Sequence, residues 1–195
     1  MQVSILGLGL IGGSLGMSLK KTTGKYKIVG YSRRPVTGYQ AIEMGAIDVF
    51  EGAPERAVRD ADIVIIATPI LAVKEIFTTI AGSLKKGCIV SDVGSTKKQI
   101  VSWAKSLLPR GVEFIGGHPM AGKEKSGIEY AEADLFRGCN YCLVPGSGVS
   151  QKALITMQEL IKDLGAKPVL MEAREHDRFV AAISHVPFIV SCALF

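Results

Sequence analysis

Short apolar runs alternate with longer amphipathic stretches along the first 171 residues. A continuous apolar run such as Ile-Val-Ile-Ile at 63–66 is typical of a strand that is covered on both faces of a sheet. Such runs predict strands at 2–6, 26–31, 62–67, 88–91, 113–115, 141–144 and 168–171. The stretches between them predict helices at 15–20, 36–44, 70–84, 152–164 and one that ends at 107. This alternation predicts an α/β fold built on a Rossmann-type, doubly wound and mostly parallel sheet.

The pattern changes at Glu172, where one long helical periodicity begins and continues to Phe195. Pro187 within it lacks a backbone donor and predicts a kink. The stretch ends in an apolar run without a capping glycine, and a surface of that kind is rarely left bare. We therefore expect a domain boundary at 171, with 172–195 forming the first helix of a truncated, all-helical domain.

The first predicted strand leads into Gly-Leu-Gly-Leu-Ile-Gly at 7–12, a GxGxxG sequence that opens a predicted helix. In such a turn Gly7 makes the tight bend, Gly9 lets the backbone approach a pyrophosphate, and Gly12 allows close packing of helix on strand. The helix N-terminus supplies N–H groups and the positive end of a dipole for the phosphates. The segment predicts a dinucleotide site formed by Gly7, Gly9, Leu10, Ile11 and Gly12.

Residues at the end of the second predicted strand indicate whether NAD or NADP is the preferred cofactor. Ser32 lies twenty residues beyond Gly12, where an NAD site usually has an acid for the ribose 2′-hydroxyl. Here Ser32 is followed by Arg33 and Arg34, whose guanidinium groups suit a phosphate through charge and paired donors. The sequence therefore favours NADP over NAD, with a solvated basic turn as the alternative interpretation.

Candidate cofactor-binding and catalytic residues also follow three later predicted strands. Thr68 and Pro69 follow the 62–67 strand at the edge where open α/β sheets bind ligands, so we include them in the cofactor site. Ser95 and Thr96 precede the helix that ends at 107; if one hydroxyl is its N-cap, the other is expected to face the cleft. His118 lies in a glycine-rich, polar segment that is predicted to be a loop. Imidazole ordinarily titrates near neutral pH, so His118 is the candidate general base.

Composition, hydropathy and charge disfavour membrane-spanning, secreted, metal-binding and nucleic-acid-binding classes of protein. No apolar run in the 195 residues reaches the roughly 18 that span a bilayer, and the N-terminus lacks the basic region of a signal peptide. The cysteines lie in apolar segments and are interpreted as reduced core residues of a cytoplasmic protein. Cys139 and Cys142 have the spacing of zinc ligands but no second pair, so no metal is predicted. The net charge of +5 comes from scattered doublets, which disfavours nucleic acid as a partner.

Four motifs, taken in order, together resemble one family. They are GLGLIGGS at 7–14, DVGSTK at 92–97, GGHPMAG at 116–122 followed by EKSG at 124–127, and SHVP at 184–187. Over essentially its whole length the chain resembles the prephenate/arogenate (cyclohexadienyl) dehydrogenases of tyrosine biosynthesis. The resemblance implies that the dinucleotide domain is followed by a helical domain that forms a homodimer and completes the substrate pocket. It also implies that residues 1–195 alone are inactive.

The resemblance further implies an activity and residue roles. The enzyme would convert prephenate to 4-hydroxyphenylpyruvate, or arogenate to tyrosine, by oxidative decarboxylation with hydride transfer to NADP or NAD. His118 is implied as the base for the ring hydroxyl, and Ser95 as the serine that bonds both the histidine and that hydroxyl. His185, Glu124 and Ser126 are implied as substrate contacts, and the motifs are compatible with either substrate.

Two other functional classes are also compatible with the sequence. One is another oxidoreductase on the same scaffold, of the hydroxy-acid or imine-reducing type, in which Lys97 or Lys123 would be the acid–base group. The other is a non-catalytic NADP-binding regulatory module, which would bind the cofactor without turning over a substrate.

Overall fold

The computed structural model describes residues 1–185, with side chains through Ile183. The strands are β1 (Gln2–Leu6), β2 (Lys27–Tyr31), β3 (Val49–Glu51), β4 (Ile63–Ile66), β5 (Ile89–Asp92), β6 (Glu113–Pro119), β7 (Asn140–Pro145) and β8 (Lys167–Leu170). The helices are α1 (Leu10–Lys20), α2 (Pro35–Glu43), α3 (Pro54–Val58), α4 (Ile70–Ile80), α5 (Lys98–Leu107), α6 (Gln151–Asp163) and α7 (Ala173–Val180).

All eight strands form one sheet, in the order β3-β2-β1-β4-β5-β6-β7-β8. β1 pairs in parallel with both β2 and β4, so the chain winds outward in both directions from β1. One apolar core lies between the sheet and α1 and α6, and a second lies under α3, α4 and α5 on the other face. Among the described strands, only β6 and β7 pair in the antiparallel sense. The predicted Rossmann-type α/β fold is confirmed.

β3 and α3 are not predicted from the sequence. They have three and five residues respectively, which is shorter than the window over which strand or helix periodicity can be recognised. The start of α1 also differs, because the helix begins at Leu10 rather than at 15. Glycines in its first turns mark places where its backbone lies close to other segments. A Cβ on Gly16, for example, would lie 2.0 Å from the carbonyl oxygen of Ala46.

The structure corrects the prediction of a loop around His118. Residues 116–119 continue β6 and pair with β7, and His118 lies opposite Cys142. The glycine at 117 allows close packing, since a Cβ there would lie 2.4 Å from the carbonyl oxygen of Asp92 at the end of β5. His118 is therefore presented one residue before the end of a paired strand, which restricts its backbone more than a loop would.

The C-terminal stretch begins as a helix close to the predicted position. α7 starts at Ala173, packs against α5 and β7, and is followed by a π-helical turn, Ala181–His185. The kink predicted at Pro187 and the continuation of the helix to Phe195 lie outside the described residues. The boundary at 171 and the helical second domain therefore stay predictions. Within residues 1–185, no helix combines the length and apolarity needed to cross a membrane.

Candidate active site

A cleft of about 750 Å³ opens at the carboxyl edge of the sheet, beside the turn between β1 and α1. Its lining includes most of the residues predicted for the cofactor site: Gly7, Gly9, Ser32, Arg33, Arg34, Thr68 and Pro69. Leu10 and Ile11 lie in the first turn of α1, and Gly12 follows them. The fold therefore brings seven of the ten predicted nucleotide-binding residues together around one cavity.

The turn at this cleft is tight because its glycines let backbone segments approach closely. Gly7 has a φ of +105°, and a Cβ there would lie 2.5 Å from the carbonyl oxygen of Ala67. A Cβ on Gly12 would lie 1.9 Å from the carbonyl oxygen of Gly7. Gly9 differs from both, because a Cβ there would meet nothing within 4 Å and the residue lines the cleft. Protein packing requires Gly7 and Gly12, whereas Gly9 keeps space within the cleft.

Polar groups in the cleft wall suit a dinucleotide. Thr68 Oγ1 is buried and has no hydrogen-bond partner among the described residues, which is uncommon for a buried hydroxyl. The N-cap of α1 is Gly9, which has no side chain to bond the first N–H groups of the helix. Those N–H groups suit a phosphate, and Arg33 and Arg34 lie exposed at the rim. The residues present therefore fit a phosphate-containing nucleotide.

A second cavity, of about 360 Å³, lies farther along the same edge of the sheet. It is lined by Ser95, His118, Pro119, Met120, Ala121, Gly122, Val180 and Ile183. β4, β5 and β6 are parallel neighbours, so Thr68, Ser95 and His118 all lie at the carboxyl ends of adjacent strands. The segment 120–128 borders both cavities, because Gly127 and Ile128 form part of the wall of the larger cleft.

His118 is hydrogen-bonded through its ring to a second histidine. Its Nδ1 lies 2.9 Å from Nε2 of His176, and the two rings meet edge to face with centroids 5.1 Å apart. His176 is completely buried, and its Nδ1 lies 2.8 Å from Oδ1 of Asp177. The imidazole at the small cavity is therefore connected to a carboxylate through a buried imidazole.

Asp177 also forms the N-terminal cap of α5. Its two carboxylate oxygens accept hydrogen bonds from the backbone N–H groups of Lys97, at 2.7 Å, and Lys98, at 3.0 Å. The prediction that Ser95 or Thr96 caps this helix is wrong, because the helix begins later and its cap comes from α7. Burial opposes ionisation of Asp177, but the hydrogen bonds from His176 and from the two N–H groups outweigh it and lower the pKa of the carboxyl.

A buried ion pair lies directly behind the strand that carries His118. The side chains of Asp92 and Lys97 are in contact, and both are fully inaccessible to solvent. Asp92 also accepts hydrogen bonds from the N–H groups of Gly94, at 2.8 Å, and Gly117, at 3.2 Å. Burial raises the pKa of Asp92 and lowers the pKa of Lys97, while their contact opposes both shifts. Lys97 is enclosed in the protein and does not face either cavity.

The family model described as "Prephenate dehydrogenase, nucleotide-binding domain" matches residues 15–170. This chain belongs to the prephenate dehydrogenase family. It is 36% identical over 193 residues to the prephenate dehydrogenase of Bacillus subtilis, covering 98% of this chain and 52% of that protein. It is 39% identical over 199 residues to the prephenate dehydrogenase of Lactococcus lactis, covering 99% and 52%. The chain thus spans about half the length of these curated family members.

Solved structures of the family have the same fold. Prephenate dehydrogenase from A. aeolicus, in complex with hydroxyphenyl propionate and NAD+, matches with a TM-score of 0.91 and 32% identity, covering 100% of this chain and 68% of that one. Synechocystis arogenate dehydrogenase matches with a TM-score of 0.92 and 34% identity, with the same coverage. The resemblance stated from the sequence motifs is confirmed at the level of the family.

The substrate-contact residues implied by the family resemblance are less closely grouped than the cofactor residues. Ser95 and His118 line the small cavity together. Glu124 and Ser126 are exposed on the segment between the cavities and are not among the described residues that line either one. His185 ends the π-helical turn, and its side chain lies outside the described part of the chain.

His176 and Asp177 were not recognised as site residues from the sequence. They follow Glu175 in the first turn of α7, where an acidic residue and a histidine are unremarkable on a solvated helix. The available signal was only that a His-Asp pair begins the helix next to the predicted domain boundary. Their position beside His118, 58 residues away in sequence, depends on the docking of α7.

The described residues offer no cluster of three or more His, Cys, Asp or Glu that could hold a metal ion. Cys88 and Cys142 are buried and Cys139 is half-buried, and all three are free thiols. Cys142 contacts the sulfur of Met171 at 3.7 Å, which is typical of apolar packing.

Proposed function

We propose that the full-length protein is a dehydrogenase that oxidises and decarboxylates prephenate or arogenate with a nicotinamide dinucleotide. Family members named prephenate, cyclohexadienyl and arogenate dehydrogenase support this assignment, as does the match to a nucleotide-binding domain. The single observation that carries it is the place of His118. This imidazole lines a cavity at the same sheet edge as the dinucleotide cleft, on a rigid strand.

In this proposal the imidazole of His118 accepts the proton of the ring hydroxyl. A nicotinamide dinucleotide bound in the larger cleft would supply the acceptor for the hydride on the carbon that carries the hydroxyl. Departure of the ring carboxylate as carbon dioxide returns its bonding electron pair to the ring, which becomes a phenolate. His118 then returns a proton to the phenolate oxygen, giving 4-hydroxyphenylpyruvate or tyrosine with no net proton change on the enzyme. A positioned base of this kind typically contributes roughly 10²–10⁴-fold.

Other parts of the chain have proposed roles around this step. Ser95 lines the same cavity and would bond both His118 and the substrate hydroxyl. Glu124, Ser126 and His185 are proposed substrate contacts near the pocket entrance. We also propose that a helical domain begins at residue 172, forms a homodimer and completes the substrate pocket, so that residues 1–195 alone would lack turnover.

We propose NADP as the preferred cofactor, with NAD as the alternative. Arg33 and Arg34 lie exposed at the rim of the cleft, on the strand end where the ribose 2′ position is recognised. Replacing both with Gln is expected to raise the KM for NADP by roughly tenfold or more, because charge-assisted bonds to phosphate are lost. The KM for NAD should change by less than about threefold, since NAD has no 2′-phosphate.

The control for this pair is Arg59→Gln, which removes an exposed arginine that does not line the cleft. It should leave both Michaelis constants near those of the wild type. A clear NAD preference in the unaltered enzyme would contradict the NADP proposal.

Gly9→Ala is expected to weaken cofactor binding by about tenfold or more while lowering the free energy of unfolding by no more than about 1 kcal/mol, the cost of Ala at an N-cap. The new Cβ has no protein atom within 4 Å, but it occupies cleft space next to the N-terminus of α1, where a pyrophosphate would lie. Fluorescence titration with NADPH and chemical denaturation measure the two quantities. Gly82→Ala, at another glycine with nothing within 4 Å, is the matched control. Normal cofactor affinity in Gly9→Ala would place the pyrophosphate elsewhere.

The proposed reaction is tested by following cofactor reduction in absorbance at about 340 nm with the full-length protein. Prephenate and arogenate are each combined with NADP and with NAD. We expect turnover with at least one substrate, and the ratio of kcat/KM values identifies the preferred pair. Cofactor binding without any absorbance change would favour the non-catalytic module, and turnover only with simple 2-hydroxy acids would favour the other oxidoreductase class.

A further inference from the structure

The hydrogen bonds of His118 lead inward to the N-terminus of α5. His118 Nδ1 meets His176 Nε2, His176 Nδ1 meets Asp177 Oδ1, and the Asp177 carboxylate is held by two backbone N–H groups. Building on the proposed function, we propose that His176 and Asp177 are positioning residues that hold His118 in the single tautomer able to accept the substrate proton at Nε2.

The carboxylate of Asp177, at the inner end of these hydrogen bonds, determines the tautomers of His176 and His118. An ionised carboxylate only accepts hydrogen bonds, and Asp177 Oδ1 receives one from the backbone N–H of Lys97 and faces His176 Nδ1. His176 Nδ1 must therefore carry a hydrogen. In neutral His176 the lone pair is then on Nε2, so the hydrogen in the contact with His118 belongs to His118 Nδ1. Neutral His118 consequently has its basic lone pair on Nε2.

The hydrogen-bonded chain is held by rigid parts of the fold. His176 is completely buried, and its ring packs edge to face on that of His118 at an interplanar angle of 66°. Asp177 is fixed by the backbone at the start of α5, which directly follows the segment containing Ser95. The same contacts therefore set the ring orientation of His118 and its position relative to Ser95.

The arrangement also stabilises the charge that develops during the reaction. When His118 takes up a proton, its Nδ1–H becomes a stronger donor to His176, and His176 in turn donates to the Asp177 carboxylate. The negative charge of Asp177 is thus coupled to the new positive charge through a buried ring, where solvent screening is weak. The carboxylate and the intermediate imidazole orient the base and do not themselves take the substrate proton.

The first test compares His176→Phe with His176→Gln in the full-length enzyme. Phenylalanine fills the buried site but cannot accept from His118 Nδ1–H, whereas the Gln side-chain oxygen can reach approximately the position of Nε2 and accept. We expect His176→Phe to lower kcat by about 10²-fold and His176→Gln to remain within about fivefold of the wild type. The KM for the cofactor should be unchanged in both. Asp134→Asn, which alters an exposed carboxylate bonded to Lys21, should retain wild-type kcat.

A second measurement reads the tautomer directly and needs no turnover. In the full-length protein labelled with 15N in histidine rings, we expect His118 to show a protonated Nδ1 and an unprotonated Nε2. His176→Phe and Asp177→Ala should convert this state to a mixture of the two tautomers. A role limited to packing or to capping α5 would lower the unfolding midpoint of these variants but leave the His118 tautomer unchanged.

The outcomes separate this inference from the proposed function. If wild-type His118 carries its hydrogen on Nε2, or if His176→Phe retains kcat within about threefold of the wild type, the positioning role is overturned. If the wild-type protein turns over neither prephenate nor arogenate, the proposed function fails, while the tautomer measurement still tests His176 and Asp177.

Discussion

Replacing His118 with Asn is expected to lower kcat by about 10³-fold while leaving the dissociation constant of the cofactor within about twofold of the wild type. Asparagine is smaller and polar, so it fits at the end of β6, but it cannot take up a proton near neutral pH. The cofactor cleft is formed by other strands, so its residues are undisturbed. Steady-state rates at saturating substrate and a separate NADPH titration measure the two effects.

Lys123→Gln is the matched comparison, because Lys123 is, with Lys97, an alternative acid–base candidate in the sequence. Its ammonium is paired with Glu132, and it lines neither cavity among the described residues. We expect its kcat to stay near that of the wild type. A His118→Asn enzyme that keeps more than about a tenth of the wild-type rate, or a large loss in Lys123→Gln, would contradict the assignment of the base.

Lys97→Met is expected to reduce the free energy of unfolding by about 3–5 kcal/mol. Methionine nearly conserves the volume of the lysine stem, so the loss does not come from a large cavity. It comes from Asp92, whose fully buried carboxyl would have to be either ionised without its partner or protonated at a pH where the unfolded chain ionises it. Chemical denaturation can be followed through Trp103, the single tryptophan of the sequence, which lies on α5 and packs against the core under α3, α4 and α5.

The loss in Lys97→Met should depend on pH. Burial raises the pKa of Asp92 and Lys97 opposes that shift, so removing Lys97 raises the pKa of Asp92 further. A carboxyl whose folded pKa exceeds its unfolded pKa stabilises the fold below the unfolded value, and this stability is lost as the pH rises through the folded pKa. The variant should therefore be nearest the wild type in acid and lose stability as the pH rises through and above the ordinary carboxyl range.

Adding Asp92→Asn to Lys97→Met should recover part of the lost stability, because the amide has no charge and its single oxygen still accepts from one of the two backbone N–H groups that the carboxylate binds. Lys20→Ala, which breaks an exposed ion pair with Asp48, should reduce stability by at most about 1 kcal/mol. Equal losses in the buried and the exposed lysine variants would show that burial of the Asp92 charge is not the cause.

The parts of this fold that could be predicted from the sequence depend on local patterns. The apolar runs of β1 and β4 and the glycine turn at Gly7 are each complete within a few residues, so strand, turn and cleft follow from neighbours in sequence. The order of the strands then places Thr68 and Ser32 at the same cleft by geometry alone.

The parts that could not be predicted depend on contacts between distant segments. The glycines next to His118 suggested a loop, but their lack of side chains lets β6 run close to Asp92. Likewise, the cap of α5 is Asp177, about 80 residues further along the chain, and no local signal distinguishes it from the hydroxyls at 95 and 96. Hydrophobic periodicity indicates only which face of a helix or strand is buried. It gives no information about side chains that hydrogen-bond to another element.

The cap supplied by Asp177 has a practical consequence for dividing the protein. A chain shortened at the apparent boundary near residue 171 would keep every strand of the sheet, yet it would lose the carboxylate that closes the first turn of α5. Chimaeras that exchange the nucleotide-binding half between family members should therefore be joined after α7. Joined before it, they would take His118, the proposed base, from one parent and His176, its hydrogen-bond partner, from the other.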